Sequence, residues 1–187
     1  RPTPPVCIIG DIHGRADLLE AMLLLIGKEP KAATARLIFV GDLIDRGPDS
    51  AAVLSRVRQL VDYAPDRVIC LMGNHERMML DFLDDPTEAN RWLRHGAVET
   101  LASLGVQGRA EGDTPDARLQ SLADALRDAL PDGMEPWLRA LPLWWQEGSL
   151  VAVHAGIEPD LPMEAQTAAA FLWGHPDFLL KPRTDGL

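Results

Sequence analysis

Two cysteines in 187 residues are too few for a disulfide framework. Cys7 and Cys70 both stand inside apolar runs, so buried thiols in a reducing cytoplasm are expected. Basic residues are the next shortage. Eighteen Lys and Arg face 28 Asp and Glu, a net charge of −10. With no Lys/Arg-rich run and no basic stripe interleaved with aromatics, such a surface repels polyanions, which excludes nucleic acid and anionic membranes as partners. No apolar run approaches the ~18 residues that span a bilayer, and the opening RPTPPVCIIG has neither the charged start nor the long apolar core of a signal peptide. Internal repeats, low-complexity tracts and linkers are also lacking. What remains is 47% hydrophobic and 25% charged, the composition of one globular domain spanning 1–187.

What is there begins with three runs of one design. VCIIGD, RLIFVGD and RVICLMGN are apolar, often β-branched, and end in Gly followed by a polar residue, the pattern of parallel strands buried on both faces. Between them ADLLEAMLLLIG places Leu18, Met22, Leu25 and Ile26 at helical spacing and stops at Gly27, and SAAVLSRVRQLVDY does the same with Val53, Val57, Leu60 and Val61. Strand alternating with helix predicts a βαβ sheet.

From about 78 to 141 the pattern turns wholly helical. RMMLDFLDDP ends at Pro86, EANRWLRHGAVETLASLG reads as one helix ending at Gly105, and TPDARLQSLADALRDALP opens on Thr114 with Pro115 at its first position. This stretch is expected to be an insertion or cap. PLWWQEG and SLVAVHAG then read as two short strands joined at Glu147-Gly148. Trp137, Trp144 and Trp145 are expected in the core.

Ligands collect at the carboxyl ends of parallel strands, where loops converge and helix N-termini point inward. The four polar rims supply Asp11 and His13, Asp42 and Asp45, Asn74 and His75, and His154. Singly, a Gly-Asp pair is a turn and a lone His a hydrogen-bonded structural residue. Together they form a set of oxygen and imidazole donors suited to divalent metal. Gly10, Gly41 and Gly73 are read as the residues that turn the backbone sharply at the rims.

Four blocks, GDIHG at 10–14, GDLIDRG at 41–47, GNHE at 73–76 and HAGI at 154–157, resemble in order the signature of the calcineurin-like metallophosphoesterases. The Asp-Arg-Gly ending of the second block and Glu76 resemble the serine/threonine protein phosphatase branch, notably its small bacterial and bacteriophage members. The resemblance covers most of the chain and is weakest in the helical stretch. It implies a four-layer α-β-β-α sandwich with a helical insertion. It also implies two divalent metal ions, manganese foremost and iron or zinc as alternates. Asp11 and His13 would bind one metal, Asp42 would bridge, and Asn74 and His154 would bind the second. One carboxylate between two cations about 4 Å apart is an economical way to hold a bridging hydroxide for in-line attack on phosphorus. By the same resemblance His75 is the general acid and Asp45 its orienting partner, Arg46 binds and positions phosphate, and Asn74 touches substrate. His175, in FLWGHPDFL, stands where many members carry a phosphate-gripping Arg, and is expected at the substrate.

Two departures accompany the resemblance. Met72 precedes GNHE where protein phosphatases carry Arg, and the family's final metal-binding His, in a Gly-His-Thr-like block, is expected beyond residue 187. The leading expectation is a phosphomonoesterase acting on a phosphoprotein's Ser or Thr phosphates or on a small phosphoester. The first alternative is a symmetrical diadenosine tetraphosphate hydrolase, which resembles the chain in GDIHG and HAGI but differs in the second block. The second is a non-catalytic phosphate- or protein-binding module.

Overall fold

The three apolar runs form strands β1 (Val6–Ile9), β2 (Arg36–Phe39) and β3 (Val68–Cys70), paired in parallel with β2 in the centre. Ile8 lies beside Ile38 and Phe39 beside Cys70 in the register. These strands belong to a computed structural model that describes residues 4–106 and 110–183. The crossovers are helices α1 (Ala16–Gly27) and α2 (Ser50–Tyr63). PLWWQEG and SLVAVHAG become an antiparallel hairpin, β4 (Trp144–Glu147) and β5 (Leu150–Val153), with Trp145 opposite Ala152.

Alternation of side chains across the strands sorts the interior into three cores, which separate four layers. Ile9, Phe39 and Cys70 face the helices in the largest core. Ile38 and Leu71 face the hairpin, where Ala152 is buried and Trp145 packs. On the hairpin's outer side Trp144, Val151 and Val153 meet Ile157, Met163 and Phe171, the last from α8 (Ala168–Trp173). The order is α-β-β-α, the sandwich expected from the sequence. Trp137, the third tryptophan expected inside, packs against the largest core.

The helical stretch departs from expectation. Helix α3 (Asn74–Asp84) begins inside GNHE, four residues before the expected onset, so Asn74 and His75 occupy a helix N-terminus and not a loop. EANRWLRHGAVETLASLG is not one helix. It breaks into α4 (Ala89–Leu93) and α5 (Ala97–Ser103), because Gly96 adopts φ 104° and its carbonyl accepts the Arg46 amide. Helix α6 (Pro115–Ala129) starts as read, with the Thr114 hydroxyl accepting the Ala117 amide at 3.1 Å, and α7 (Met134–Arg139) follows. Met79, Phe82, Trp92, Leu101, Leu126 and Leu138 all join the core that contains Ile9 and Phe39, so this stretch is continuous with the main core.

Helix α1 also corrects a reading. Its inward face is Leu19, Met22, Leu23 and Ile26, while Leu18 and Leu25 are 54% and 63% exposed. Strand β1 is not buried on both faces either, since Ile8 is 47% exposed on the side where the two-stranded hairpin covers Ile38. Both cysteines are free thiols, and burial pushes that of Cys70 well up. Among the described residues no helix is long and apolar enough to cross a membrane.

Candidate metal centre

The loops after β1 and β2 are laced together by main chain. The Asp42 carbonyl accepts the amides of Ile12 and His13, both at 2.9 Å, and the Gly14 amide donates to Leu43 at 2.8 Å. This lacing holds four non-glycine residues in the left-handed region: His13 (φ 44°), Asp42 (52°), Asp45 (72°) and Arg46 (67°). Each such residue costs about 1 kcal/mol or more and persists only where its surroundings over-determine it. Three of them belong to the donor set read from the sequence, and the fourth, Arg46, is the expected phosphate binder.

Glu76 supplies much of that determination. Its fully buried carboxylate accepts the amides of Asp42 (2.9 Å), Leu43 (2.8 Å), Ile44 (3.3 Å) and Gly73 (3.0 Å). Burial, and then the charge of Asp42, push its pKa up to about 7 against the pull of those amides. Gly41 and Gly73 have a role beyond the one read from sequence. A side chain at Gly41 would meet the Gly73 backbone at 2.3 Å, so the two let neighbouring loops touch, and Gly41, at φ 96°, also turns the chain as read while Gly73 does not. Gly10 has a normal φ and open space around it.

Two imidazoles are fixed through their Nδ1 atoms, His13 to the Ile44 carbonyl and His154 to the Val40 carbonyl, each at 2.8 Å. A carbonyl can only accept, so Nδ1 carries the proton and Nε2 presents a lone pair. Both Nε2 atoms face Asp42, His13 at 3.5 Å from Oδ2 and His154 at 3.5 Å from Oδ1. Asp11 lies 3.8 Å from His13 Nε2. Donors sharing one ion at about 2.1 Å each are about 3 to 4 Å apart, and these separations fall in that window. Asp42, His13 and His75 form one such group, and Asp11, Asp42 and His154 another, each with ligand atoms within 4.8 Å of one another.

His13 Nε2 and Asn74 Oδ1 are buried polar atoms with no hydrogen-bond partner among the described residues. Burying such atoms unpaired is costly, and both are natural cation ligands. The residues therefore fit a divalent metal. The start of α3 adds to this, donating the His75 amide to Asp42 Oδ1 at 3.1 Å, where a helix N-terminus favours the carboxylate's charge.

Behind the rim lies a second polar assembly. His75 Nδ1 donates to Asp45 Oδ2 at 2.7 Å. Trp92 Nε1 donates to the same oxygen at 2.9 Å, and the Thr100 hydroxyl donates to Oδ1 at 2.6 Å. Asp45, Trp92 and Thr100 are fully buried. Burial alone would lower the His75 pKa, but the Asp45 bond and the nearby Asp42 charge outweigh it and the net direction is up. Arg46 is exposed and reaches His75 Nε2 at 3.2 Å. His175 is not among the candidate metal ligands. It is half-buried in a turn, accepts the Asp177 amide at 3.2 Å, and belongs to neither ligand group.

Trp92 and Thr100 were not singled out in the sequence, where both read as ordinary helical residues. The one available signal was Trp92, whose N–H must find an acceptor once buried.

An α-β-β-α sandwich carrying this carboxylate and imidazole rim defines the metallophosphoesterase class. The profile of the calcineurin-like phosphoesterases matches residues 4–179. The chain belongs to that family. Among curated proteins it is similar to the symmetrical bis(5'-nucleosyl)-tetraphosphatase of Aromatoleum aromaticum, 34% identical over 164 residues, covering 87% of this chain and 48% of that protein. The protein of the same name from Methylococcus capsulatus is 33% identical over 162 residues, covering 87% and 46%. The chain thus spans about half the length of the curated relatives it matches. Among solved structures it shares its fold with a candidate diadenosine tetraphosphatase (TM-score 0.57, 24% identity, 89% of this chain and 58% of that one). A protein serine/threonine phosphatase from Saccharomyces cerevisiae has the same fold (TM-score 0.53, 19% identity, 87% and 42%).

Proposed function

We propose that the chain is the metal-binding part of a phosphohydrolase that uses two divalent ions, manganese foremost, and cleaves a dinucleoside polyphosphate symmetrically. The observation that carries the metal reading is Asp42, whose two oxygens each face a different metal-competent imidazole at 3.5 Å. The substrate reading rests on the relatives at 33–34% identity, which are named symmetrical bis(5'-nucleosyl)-tetraphosphatases. It replaces the phosphoprotein substrate that the Asp-Arg-Gly block had put first.

Asp11, His13, Asp42, Asn74 and His154 would hold the metals. When bound, these would supply Lewis-acid activation of water and neutralise phosphoryl charge. The rest is the chain's own work. Arg46 binds and positions a phosphoryl oxygen through its planar donor pair. His75, aligned by Asp45, gives a proton from Nε2 to the departing oxygen. Arg46 and His75 now lie 3.2 Å apart, and with His75 protonated both are donors, so a phosphate oxygen placed between them would accept from each.

The test is diadenosine tetraphosphate with added Mn²⁺. Cleavage at the central anhydride adds one water and gives adenosine diphosphate as the sole nucleotide, and Asp42→Asn should abolish it. Products of unequal length, or undiminished turnover by Asp42→Asn, would overturn the reading.

The Asp45–His75 pair favours a second reading. A proton donor matters most when the leaving group is a poor one such as a Ser or Thr alkoxide, so a phosphopeptide assayed beside the dinucleotide decides between them. A metal-loaded chain that turns over neither would be the non-catalytic binding module.

A further inference from the structure

We infer that Trp173 and Arg91 form a nucleotide subsite beside the metal centre, in which Trp173 stacks a nucleobase and the Arg91 guanidinium meets a phosphate remote from the reacting one. The inference deepens the nucleotide reading and rests on it.

Trp173 is 43% exposed at the end of α8. The Arg91 guanidinium lies over one side of its ring, 4.3 Å from the centroid. The exposed remainder is an aromatic surface already held in place. Both partners sit next to residues that build the centre. Arg91 precedes Trp92, which holds Asp45. Trp173 lies two residues after Phe171, whose carbonyl accepts the amide of Ala155 at 2.8 Å, and Ala155 follows His154. One turn of chain beyond Arg91, His95 places its ring 6.3 Å from that of His75, its orientation set by Nδ1 donating to the Arg91 carbonyl at 2.5 Å. The next residue, Gly96, packs on Arg46.

The charge of the whole chain makes this placement informative. At net −10 the surface opposes an oligophosphate, so phosphates outside the metal pair need local cations. Arg46 and Arg91 supply them, ending at an aromatic ring on which any base can stack.

Calorimetric titration of the whole chain, with Mn²⁺ held constant, compares adenosine diphosphate with inorganic pyrophosphate. One base stack predicts that wild type prefers the nucleotide by about fivefold or more. Trp173→Ala should erase that preference while leaving pyrophosphate affinity unchanged, Trp173→Phe should keep most of it, and Arg91→Ala should weaken both ligands. Equal affinity of wild type for the two ligands overturns the subsite. So does an equal loss for both in Trp173→Ala, which would make the ring a structural bridge between α4 and α8. Because binding is read without turnover, the two readings fail separately. A Trp173-dependent preference in a chain that leaves diadenosine tetraphosphate intact removes the proposed reaction and keeps the subsite. Cleavage of that substrate without the preference does the reverse.

Discussion

At the scale of single residues the centre depends on a few groups placed where they would not sit by choice. Glu76 is the clearest. Its carboxylate takes four amides and thereby holds Asp42 in a left-handed conformation and Gly73 against Gly41. Glu76→Gln puts an NH2 opposite two amide donors, and should lower stability by about 1 to 3 kcal/mol, measurable by denaturant titration. The pH dependence follows from the same group. A folded pKa of about 7 against the ordinary 4.5 of the unfolded chain means that between these values the folded chain binds more protons than the unfolded one. Stability of the metal-free chain therefore falls as pH rises through that window. His75, also raised, adds in the same direction, its contribution present below its unfolded pKa and lost as pH passes the folded one. Melting curves at pH 5 and pH 8 should show the decline in wild type and a smaller one in Glu76→Gln. A rise with pH would refute it.

At the scale of elements, the helical stretch is joined to the chemistry more closely than a lid would be. Helices α4 and α5 reach in with Trp92 and Thr100 to occupy both oxygens of Asp45, and the bend between them at Gly96 binds the Arg46 amide. If their task is to align the Asp45–His75 pair, Trp92→Phe and Thr100→Val should matter only where a proton must be given. Turnover of an alkyl phosphate should fall about tenfold or more, while p-nitrophenyl phosphate, whose leaving group departs unaided, should be cleaved almost as before. His75→Asn should show the same contrast more strongly. Equal losses on both substrates would mean that these residues only stabilise the fold.

At the scale of the molecule, the two metal groups draw on β1, β2, α3 and β5 at once: Asp11 and His13 follow β1, Asp42 follows β2, His75 lies in the first turn of α3, and His154 follows β5. A ligand that ties four elements stabilises their common arrangement by mass action. Mn²⁺ at about a hundred times its dissociation constant should add about 2.7 kcal/mol to unfolding and raise the melting temperature. Asp42→Asn should abolish the increment, and a melting temperature indifferent to Mn²⁺ would argue against the metal reading.

The sequence by itself determined the strands and their order along the chain, because apolar runs closed by Gly and a polar residue have few other uses. It also determined which donors stand on the rim, since each follows its strand directly. It could not reveal what lies far apart in the chain and close in space. The Glu76 clamp, the Trp92 and Thr100 bonds to Asp45, and the break at Gly96 depend on contacts across tens of residues, and local pattern made α4 and α5 look like one helix. The inward face of α1 was misread for a similar reason. So many of its positions are apolar that periodicity alone does not choose among them, and only packing against the largest core selects Leu19, Met22, Leu23 and Ile26. The tertiary structure decided which polar groups are buried and which atoms they face, and that burial turns a list of common residues into one candidate centre.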